Sequence, residues 1–344
     1  FINDILSIPT PDIVFVSSFM TYWYPGIRET IAIIKEVYID VPIILGGIYA
    51  TLCYEHAVAN SYANRVIEGK GEKHILKLVQ DYTGHKTRCL LEYNNLDSYP
   101  FPAFELQNRI NYIPIITSRG CPFSCTYCAS NYLNPKIMTR NSGSVVDEIS
   151  FWHKKYKIID FVFYDDAFLF NSEKHAVPIL EKIVQTGYKL RFHTPNALHL
   201  CKISQKIAVL MFKAGFVSIN LGLETIDDLD KKVDEKEFNN AVIYLKKAGF
   251  SKNQICAYLL VGLPYQTIAS IEHCIKTVKK SGITPILAYY TPIPHTLMWK
   301  KAVESSRYSL EADPIFTNNA VFPCTAEPFS NKKIAYLKDL IRQS

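Results

Sequence analysis

The feature that most constrains the fold is a regular alternation of apolar segments and amphipathic helical patterns over residues 113–290. The nearly continuous apolar runs predict six buried strands, near 113–118, 159–164, 189–193, 216–222, 254–261 and 285–290. Helices are predicted between them, near 143–156, 173–186, 202–214, 238–249 and 267–280. Six such repeats predict a parallel sheet covered by helices, either open or curved into a partial barrel. Functional groups in β/α barrels lie at the carboxyl ends of the strands.

A cysteine cluster follows the first of these strands with the spacing C-x3-C-x2-C: Cys121, Cys125 and Cys128. Glycine and proline in this loop allow it to bend, so the three thiolates can converge on one metal centre. A structural zinc site has four protein ligands, and only three are present locally. Three thiolates on an iron–sulfur cluster would leave one iron open to another ligand. The alternative is a zinc knuckle that borrows a distant Cys or His.

The composition limits the cellular compartment and the binding partners that we expect for this protein. A chain of 344 residues with 48% hydrophobic residues suits one large α/β domain and a smaller one. The cysteines outside the cluster are widely spaced among apolar residues, which favours buried thiols in a reducing compartment, so we expect a cytoplasmic protein. No apolar run is long enough to span a bilayer, and the net charge of +6 is scattered over predicted helices. We therefore expect neither a membrane nor a nucleic-acid partner.

Residues 1–83 carry a second, shorter strand–helix pattern. Apolar strands near 12–18, 41–45 and 65–67 alternate with helical stretches, which predicts a doubly wound α/β sheet. The polar, proline-containing segment that follows predicts a linker. The predicted organisation is therefore an α/β domain, a linker, a β/α domain and a helical tail, over residues 1–83, 84–110, 111–294 and 295–344.

The cysteine spacing, with the aromatic Tyr127 before the third cysteine, resembles the radical S-adenosylmethionine (radical SAM) superfamily. The resemblance implies a partial (β/α)6 TIM-like barrel whose three cysteines hold a 4Fe–4S cluster. The amino and carboxylate groups of SAM would chelate the open iron. An electron from a donor such as flavodoxin or ferredoxin would cleave SAM reductively and generate a 5′-deoxyadenosyl radical. This radical would abstract a hydrogen atom from a small-molecule substrate that the sequence does not identify. This chemistry needs a water-poor pocket.

The same resemblance implies SAM contacts at the other strand ends. Tyr127 would lie beside the adenine. Asp165 or Asp166 stands where the family often carries Gly-Gly-Glu, and would bind the SAM ammonium group or merely cap the next helix. Glu224, in a segment similar to the family's I-G-x-E, would bind the SAM amino group or ribose, or form a buried ion pair.

Five further SAM contacts are implied on the third to sixth strands: His193, Ser218, Asn220, Val261 and Pro292. His193 is expected at the end of the third strand, where it contacts SAM or is a satisfied buried histidine. Ser218 and Asn220 precede Glu224 on the fourth strand. Val261 belongs to the fifth strand, whose apolar residues would pack on adenine, and Pro292 follows the sixth.

The first domain resembles the back half of a cobalamin-binding domain, on the segments Ser17–Pro25 and Leu45–Thr51. In cobalamin-dependent radical SAM proteins this flavodoxin-like sheet binds the corrinoid tail through Ser and Gly-Gly positions. The resemblance thus implies cobalamin as a further cofactor, with methyl transfer to an unactivated carbon as the reaction. The front half, which holds the lower ligand, is not in this chain. Either the chain is truncated, or its reduced first domain does not bind cobalamin.

Two other functions fit the same scaffold. A radical enzyme that modifies RNA or protein, such as a methylthiotransferase, would carry a second cluster in its N-terminal domain, for which Cys53 and Cys89 are too few. A non-catalytic subunit that carries metal or cobalamin is the third hypothesis, and the retained SAM-side carboxylates argue against it. The leading hypothesis is a radical SAM enzyme that is a methyltransferase if cobalamin binds.

Overall fold

The structure is a computed structural model that describes residues 1–86, 91–226, 234–324 and 331–342. The predicted linker and tail each include residues outside these ranges. The chain forms two compact units. The first comprises Phe1–Tyr93 and Thr291–Glu327, and the second comprises Asn94–Tyr290 and Pro328–Ser344. In the described ranges, every helix is too short or too polar to cross a membrane.

The regular elements are numbered in chain order. The described α-helices are α1 (Ile2–Leu6), α2 (Tyr24–Val37), α3 (Ile48–Leu52), α4 (Tyr54–Asn60), α5 (Glu72–Thr83), α6 (Ser130–Leu133), α7 (Ser142–Tyr156), α8 (Ala176–Gln185), α9 (Gln205–Ala214), α10 (Glu235–Ala248), α11 (Ile268–Lys280), α12 (Trp299–Ser305) and α13 (Asn331–Arg342). The strands are β1 (Val14–Ser18), β2 (Ile43–Gly47), β3 (Arg65–Val66), β4 (Ile113–Ile115), β5 (Ser118–Arg119), β6 (Met138–Thr139), β7 (Asp160–Phe163), β8 (Arg191–Leu198), β9 (Phe216–Glu224), β10 (Ile255–Val261) and β11 (Thr284–Tyr289).

The first unit is built on a parallel sheet in the order β1–β2–β3. Helix α2 has a proline in its first turn, where the missing N–H costs no hydrogen bond. Its apolar stripe places Ile31 and Ile34 against Ile43 of β2. Burial of this stripe supplies most of the helix's stability, because isolated helices of this length are marginal in water.

The segment after residue 291 packs into the first unit through side-chain hydrogen bonds. Thr317 Oγ1 lies 2.8 Å from Thr21 Oγ1, and the Tyr24 hydroxyl donates to Asp313 Oδ2 over 2.8 Å. Ile315 packs against the cluster that contains Tyr24. Residues far apart in the sequence therefore share one small core.

The second unit contains a six-stranded sheet in the order β4–β7–β8–β9–β10–β11. Every neighbouring pair is parallel and follows directly along the sheet, with helices α7 to α11 in the crossovers. A sheet wound in one direction in this way is the partial TIM-like barrel that the sequence predicts, and the predicted fold class is confirmed. Its aromatic core includes Phe163, which lies near Phe192 and Phe216 with ring centroids 5.6 and 5.5 Å away.

Strand β8 is longer than predicted. It ends at Leu198, so the expectation that His193 ends the third strand is wrong. Proline has no N–H for the ladder, and the pairing of β8 with β9 shifts its register between Thr194 and Leu198, around Pro195. The proline therefore interrupts the pairing without ending the strand. The carboxyl end of β8 lies five residues further along, beside His199.

Candidate active site

The cysteine loop follows β4 and starts with a short antiparallel pair, β5 and β6. Gly120 stands directly before the first cysteine with φ +90°, a left-handed conformation that favours glycine. A Cβ at this position would lie 3.0 Å from the backbone oxygen of Lys136. Cys121 is buried, Cys125 is half-buried and Cys128 is exposed. The solvent exposure of the cysteines thus increases along the loop, from the buried first cysteine to the exposed third, over eight residues.

Burial raises the pKa of the Cys121 thiol above its ordinary value. The apo protein therefore keeps this proton, and a bound metal displaces it, because the ligand is the thiolate.

A cavity of about 380 Å³ opens beside the loop, at the carboxyl ends of the barrel strands. All three cysteines line it, together with Tyr127, Asp166 and Glu224. Its volume lies in the range of small-molecule sites.

The donor set of this cavity fits a cluster with one open iron. A structural zinc site needs four protein ligands around one ion. A 4Fe–4S cluster binds each thiolate at a separate iron, so its ligands surround a larger volume. The described lining residues include three cysteines and no fourth.

Asp165 and Asp166 follow β7 and differ in their surroundings. Asp165 is buried, and its Oδ1 accepts hydrogen bonds from Thr117 N, Thr117 Oγ1 and Ser118 Oγ at 3.0, 2.7 and 2.6 Å. Because the Thr117 hydroxyl donates to Asp165, the His175 Nε2 that lies 2.8 Å from Thr117 Oγ1 is the donor to it. Asp165 thus holds the chain just ahead of the cysteines.

Asp166, in contrast, lines the cavity. Helix α8 starts at Ala176 with His175 as its N-cap, so neither aspartate caps the next helix. Of the two carboxylates, Asp166 is therefore the one that faces the cavity.

The buried network of Asp165 and His175 should make the free energy of unfolding depend on pH. Burial raises the pKa of Asp165 to about 6 and lowers the pKa of His175 to about 4. Folded Asp165 holds its proton more tightly than the unfolded chain does, so its contribution to stability falls as the pH rises from about 4 to about 6. Folded His175 holds its proton less tightly, so its contribution rises from about pH 4 to about 6.5. The two contributions oppose each other in the wild-type protein.

Asp165→Asn removes only the falling contribution. We expect the free energy of unfolding of this variant to rise with pH more steeply than that of the wild-type protein, by about 3 kcal/mol between about pH 4 and pH 6. Urea unfolding across this range measures the difference. His175→Gln should change the slope in the opposite direction. Parallel pH profiles for Asp165→Asn and the wild-type protein would contradict the network.

Glu224 ends β9 in a strained conformation. Its φ is +64°, which is rare for a residue other than glycine and costs about 1–3 kcal/mol. The pairing of β9 with β10 shifts its register at this point. Glu224 is only 9% exposed and lines the cavity. Strain of this kind clusters at ligand sites, which makes this carboxylate a candidate for ligand binding.

Tyr127 stays neutral beside this carboxylate. Burial, and next the charge of Glu224, raise the pKa of Tyr127 far above its ordinary value. Its buried phenol is therefore a hydrogen-bond donor at every physiological pH.

The other predicted SAM contacts do not line the cavity. His193 Nδ1 lies 3.2 Å from Ser218 Oγ, and its Nε2 lies 3.2 Å from Asp160 Oδ1, so both ring nitrogens have partners within the barrel. Asn220 Nδ2 donates to the Thr194 carbonyl over 2.8 Å. Val261 is buried at the end of β10, and Pro292 belongs to the first unit. Contact of these residues with SAM remains a prediction.

Eight of the described residues that line the cavity were not predicted, among them Phe123, Asn196, His199 and Tyr258. Asn196 and His199 lie at the carboxyl end of β8, beyond His193, at which the predicted strand ends. The Tyr258 hydroxyl donates to the Pro195 carbonyl over 3.0 Å, which ties β10 to this end of β8. The polar residues that follow Pro195 were the sequence signal that could have predicted this part of the cavity.

Cys53, considered with Cys89 for a second cluster, does not line this cavity. Cys53 is half-buried in the first unit, and Cys89 lies outside the described residues.

Comparison with known proteins links the chain to a sequence family. Residues 115–278 match the sequence profile of the Radical SAM superfamily. The chain is 26% identical over 330 residues to an uncharacterised methyltransferase of Pyrococcus horikoshii, which covers 86% of this chain and 70% of that protein. It is 23% identical to the anaerobic magnesium-protoporphyrin IX monomethyl ester cyclase of Rubrivivax gelatinosus. That match covers 85% of this chain and 58% of the cyclase.

Among solved structures, the fold is similar to that of the radical SAM methyltransferase TsrM from Kitasatospora setae. The TM-score is 0.72 at 17% sequence identity, over 88% of this chain and 67% of TsrM. That structure contains tryptophan and a SAM analogue, and a second structure of TsrM contains cobalamin and a 4Fe–4S cluster. At this level of identity the likeness establishes the fold.

Proposed function

Because residues 115–278 form a radical SAM domain, we propose that the chain binds a 4Fe–4S cluster through Cys121, Cys125 and Cys128, binds SAM beside it, and methylates a small molecule. The observation that carries the proposal is the shared cavity. It brings the three cysteines together with two carboxylates at the carboxyl ends of the barrel strands.

When bound, the cluster supplies the electron that breaks a carbon–sulfur bond of SAM. The chain's own residues bind and orient the sulfonium substrate. The carboxylates of Asp166 and Glu224 face the cavity and accept hydrogen bonds from the SAM ammonium group or ribose. Tyr127 donates from its neutral phenol. Pro195 and Ala288 supply apolar wall, which limits water in the site.

Cobalamin is the proposed methyl carrier, and the first unit would hold it. A Cβ at Gly46, near the carboxyl end of β2, would meet no atom within 4 Å, so a ligand can approach this backbone closely. At Gly47, with φ +96°, a Cβ would lie 2.2 Å from the Ser18 carbonyl oxygen, so only glycine fits. The curated relative named as a methyltransferase supports the same reaction class.

The proposed enzyme also needs an electron source. We propose a flavodoxin or ferredoxin of the cytoplasm as this source, because reductive cleavage of SAM requires an electron that the chain's own side chains do not supply.

Product analysis tests this function. The anaerobically reconstituted protein is supplied with cobalamin, reductant, methyl-labelled SAM and a cell extract that contains small molecules, RNA and protein. We expect label in a small molecule, with S-adenosylhomocysteine alongside 5′-deoxyadenosine. Label confined to the RNA or protein fraction would instead support the methylthiotransferase-like alternative. A holo-protein that yields neither nucleoside product would be a non-catalytic carrier, and would overturn the proposal.

A further inference from the structure

A histidine that the proposed mechanism does not use lies against the first cluster cysteine. His199 Nε2 is 3.7 Å from Cys121 Sγ, within hydrogen-bond range for sulfur. Only 5% of His199 and 9% of Cys121 are exposed. We propose that His199 donates a hydrogen bond from Nε2 to the Cys121 thiolate and thereby raises the reduction potential of the cluster. This inference rests on the proposed function, because it requires a cluster on Cys121.

The imidazole is held at two points, one on the cysteine loop and one at the end of a barrel strand. Phe123, two residues after Cys121, lies against His199 with ring centroids 4.1 Å apart and an angle of 38° between the planes. His199 itself follows the last residue of β8, so a barrel strand fixes its backbone. A ring clamped between a strand end and the loop keeps Nε2 directed at the sulfur.

The chemistry of the pair sets the direction of the effect. An iron-bound thiolate has no proton, so it only accepts, and the imidazole must carry its proton on Nε2. Reduction adds negative charge to the cluster and its sulfur ligands. A hydrogen-bond donor therefore stabilises the reduced form more than the oxidised form, which raises the potential. A buried donor acts strongly because little water competes with it.

Substitution of His199 by Phe isolates the hydrogen bond. Phenylalanine keeps an aromatic ring against Phe123 and removes the donor. We expect His199→Phe to bind as much iron as the wild-type protein, while the equilibrium constant for reduction of its cluster falls about tenfold, or ~59 mV for one electron. His199→Gln restores a donor and should recover part of the potential. His153→Phe, on α7 and away from the cavity lining, is the matched control.

Redox titration followed by electron paramagnetic resonance, together with iron analysis, gives the result. A potential of His199→Phe equal to that of His153→Phe, with full iron content, would overturn the hydrogen bond and leave the proposed function standing. Loss of iron in both His199→Phe and His199→Gln, with full iron content in His153→Phe, would make His199 a cluster ligand. That result would also overturn the proposed hydrogen bond. If the wild-type protein assembles no cluster, both the inference and the proposed function fail.

Discussion

Replacing Cys125 with alanine is expected to reduce iron binding from about four irons per chain to background and to abolish 5′-deoxyadenosine formation. Cys125 is one of three cysteines among the described residues that line the cavity, and an alanine leaves one iron without its protein ligand. The side chain is half-buried, so its loss removes little packing and the fold should survive. Anaerobic reconstitution, followed by iron analysis and visible absorbance, measures the effect.

Cys201→Ala is the matched control, since Cys201 is exposed and does not line the cavity. Its iron content and absorbance should equal those of the wild-type protein. Thermal unfolding of both apo variants checks that the fold is intact. Wild-type iron content in Cys125→Ala would show that the cluster is not bound by this loop.

The second large effect is expected at Glu224. Glu224→Gln keeps the length and shape of the side chain and removes its charge. A charge-assisted hydrogen bond to the SAM ammonium group or ribose is worth about 1.5–3 kcal/mol, so the dissociation constant for SAM should rise roughly 10- to 100-fold. Iron content should stay unchanged. Equilibrium binding of SAM to the reconstituted protein measures the change.

A glycine at the same position separates ligand binding from folding. Because the backbone here has φ +64°, Glu224→Gly removes conformational strain while it removes the carboxylate. We expect this variant to unfold with a free energy no lower than that of the wild-type protein, and to bind SAM as weakly as Glu224→Gln. Wild-type SAM affinity in both variants would mean that the strained carboxylate does not bind SAM.

The fold was predictable from the sequence because its signal is local and repeated. Six apolar strands alternate with periodic helices, and the parallel order follows from that alternation. The prediction failed at β8, where the third strand was expected to end at His193. Tertiary pairing carries the strand through the proline, with a shift in register. The missed cavity residues Asn196 and His199 follow directly from this error.

The site was only partly predictable for a similar reason. The three cysteines lie within eight residues, so their spacing is sufficient to predict a metal loop. The different surroundings of Asp165 and Asp166 depend on contacts with residues 47 or 48 positions away, Ser118 and Thr117. The pairing of His199 with Cys121 spans 78 positions. No periodicity or motif of one chain reports contacts of this kind.

The central claim is that the cavity holds a cluster with one iron open to SAM. Pulsed electron paramagnetic resonance of the reduced protein tests it most directly, using SAM with magnetic isotopes of nitrogen in its amino group and of oxygen in its carboxylate. We predict that both labels show hyperfine coupling to the cluster in the wild-type protein. An intact four-iron cluster whose resonance shows no coupling to either label would contradict the account.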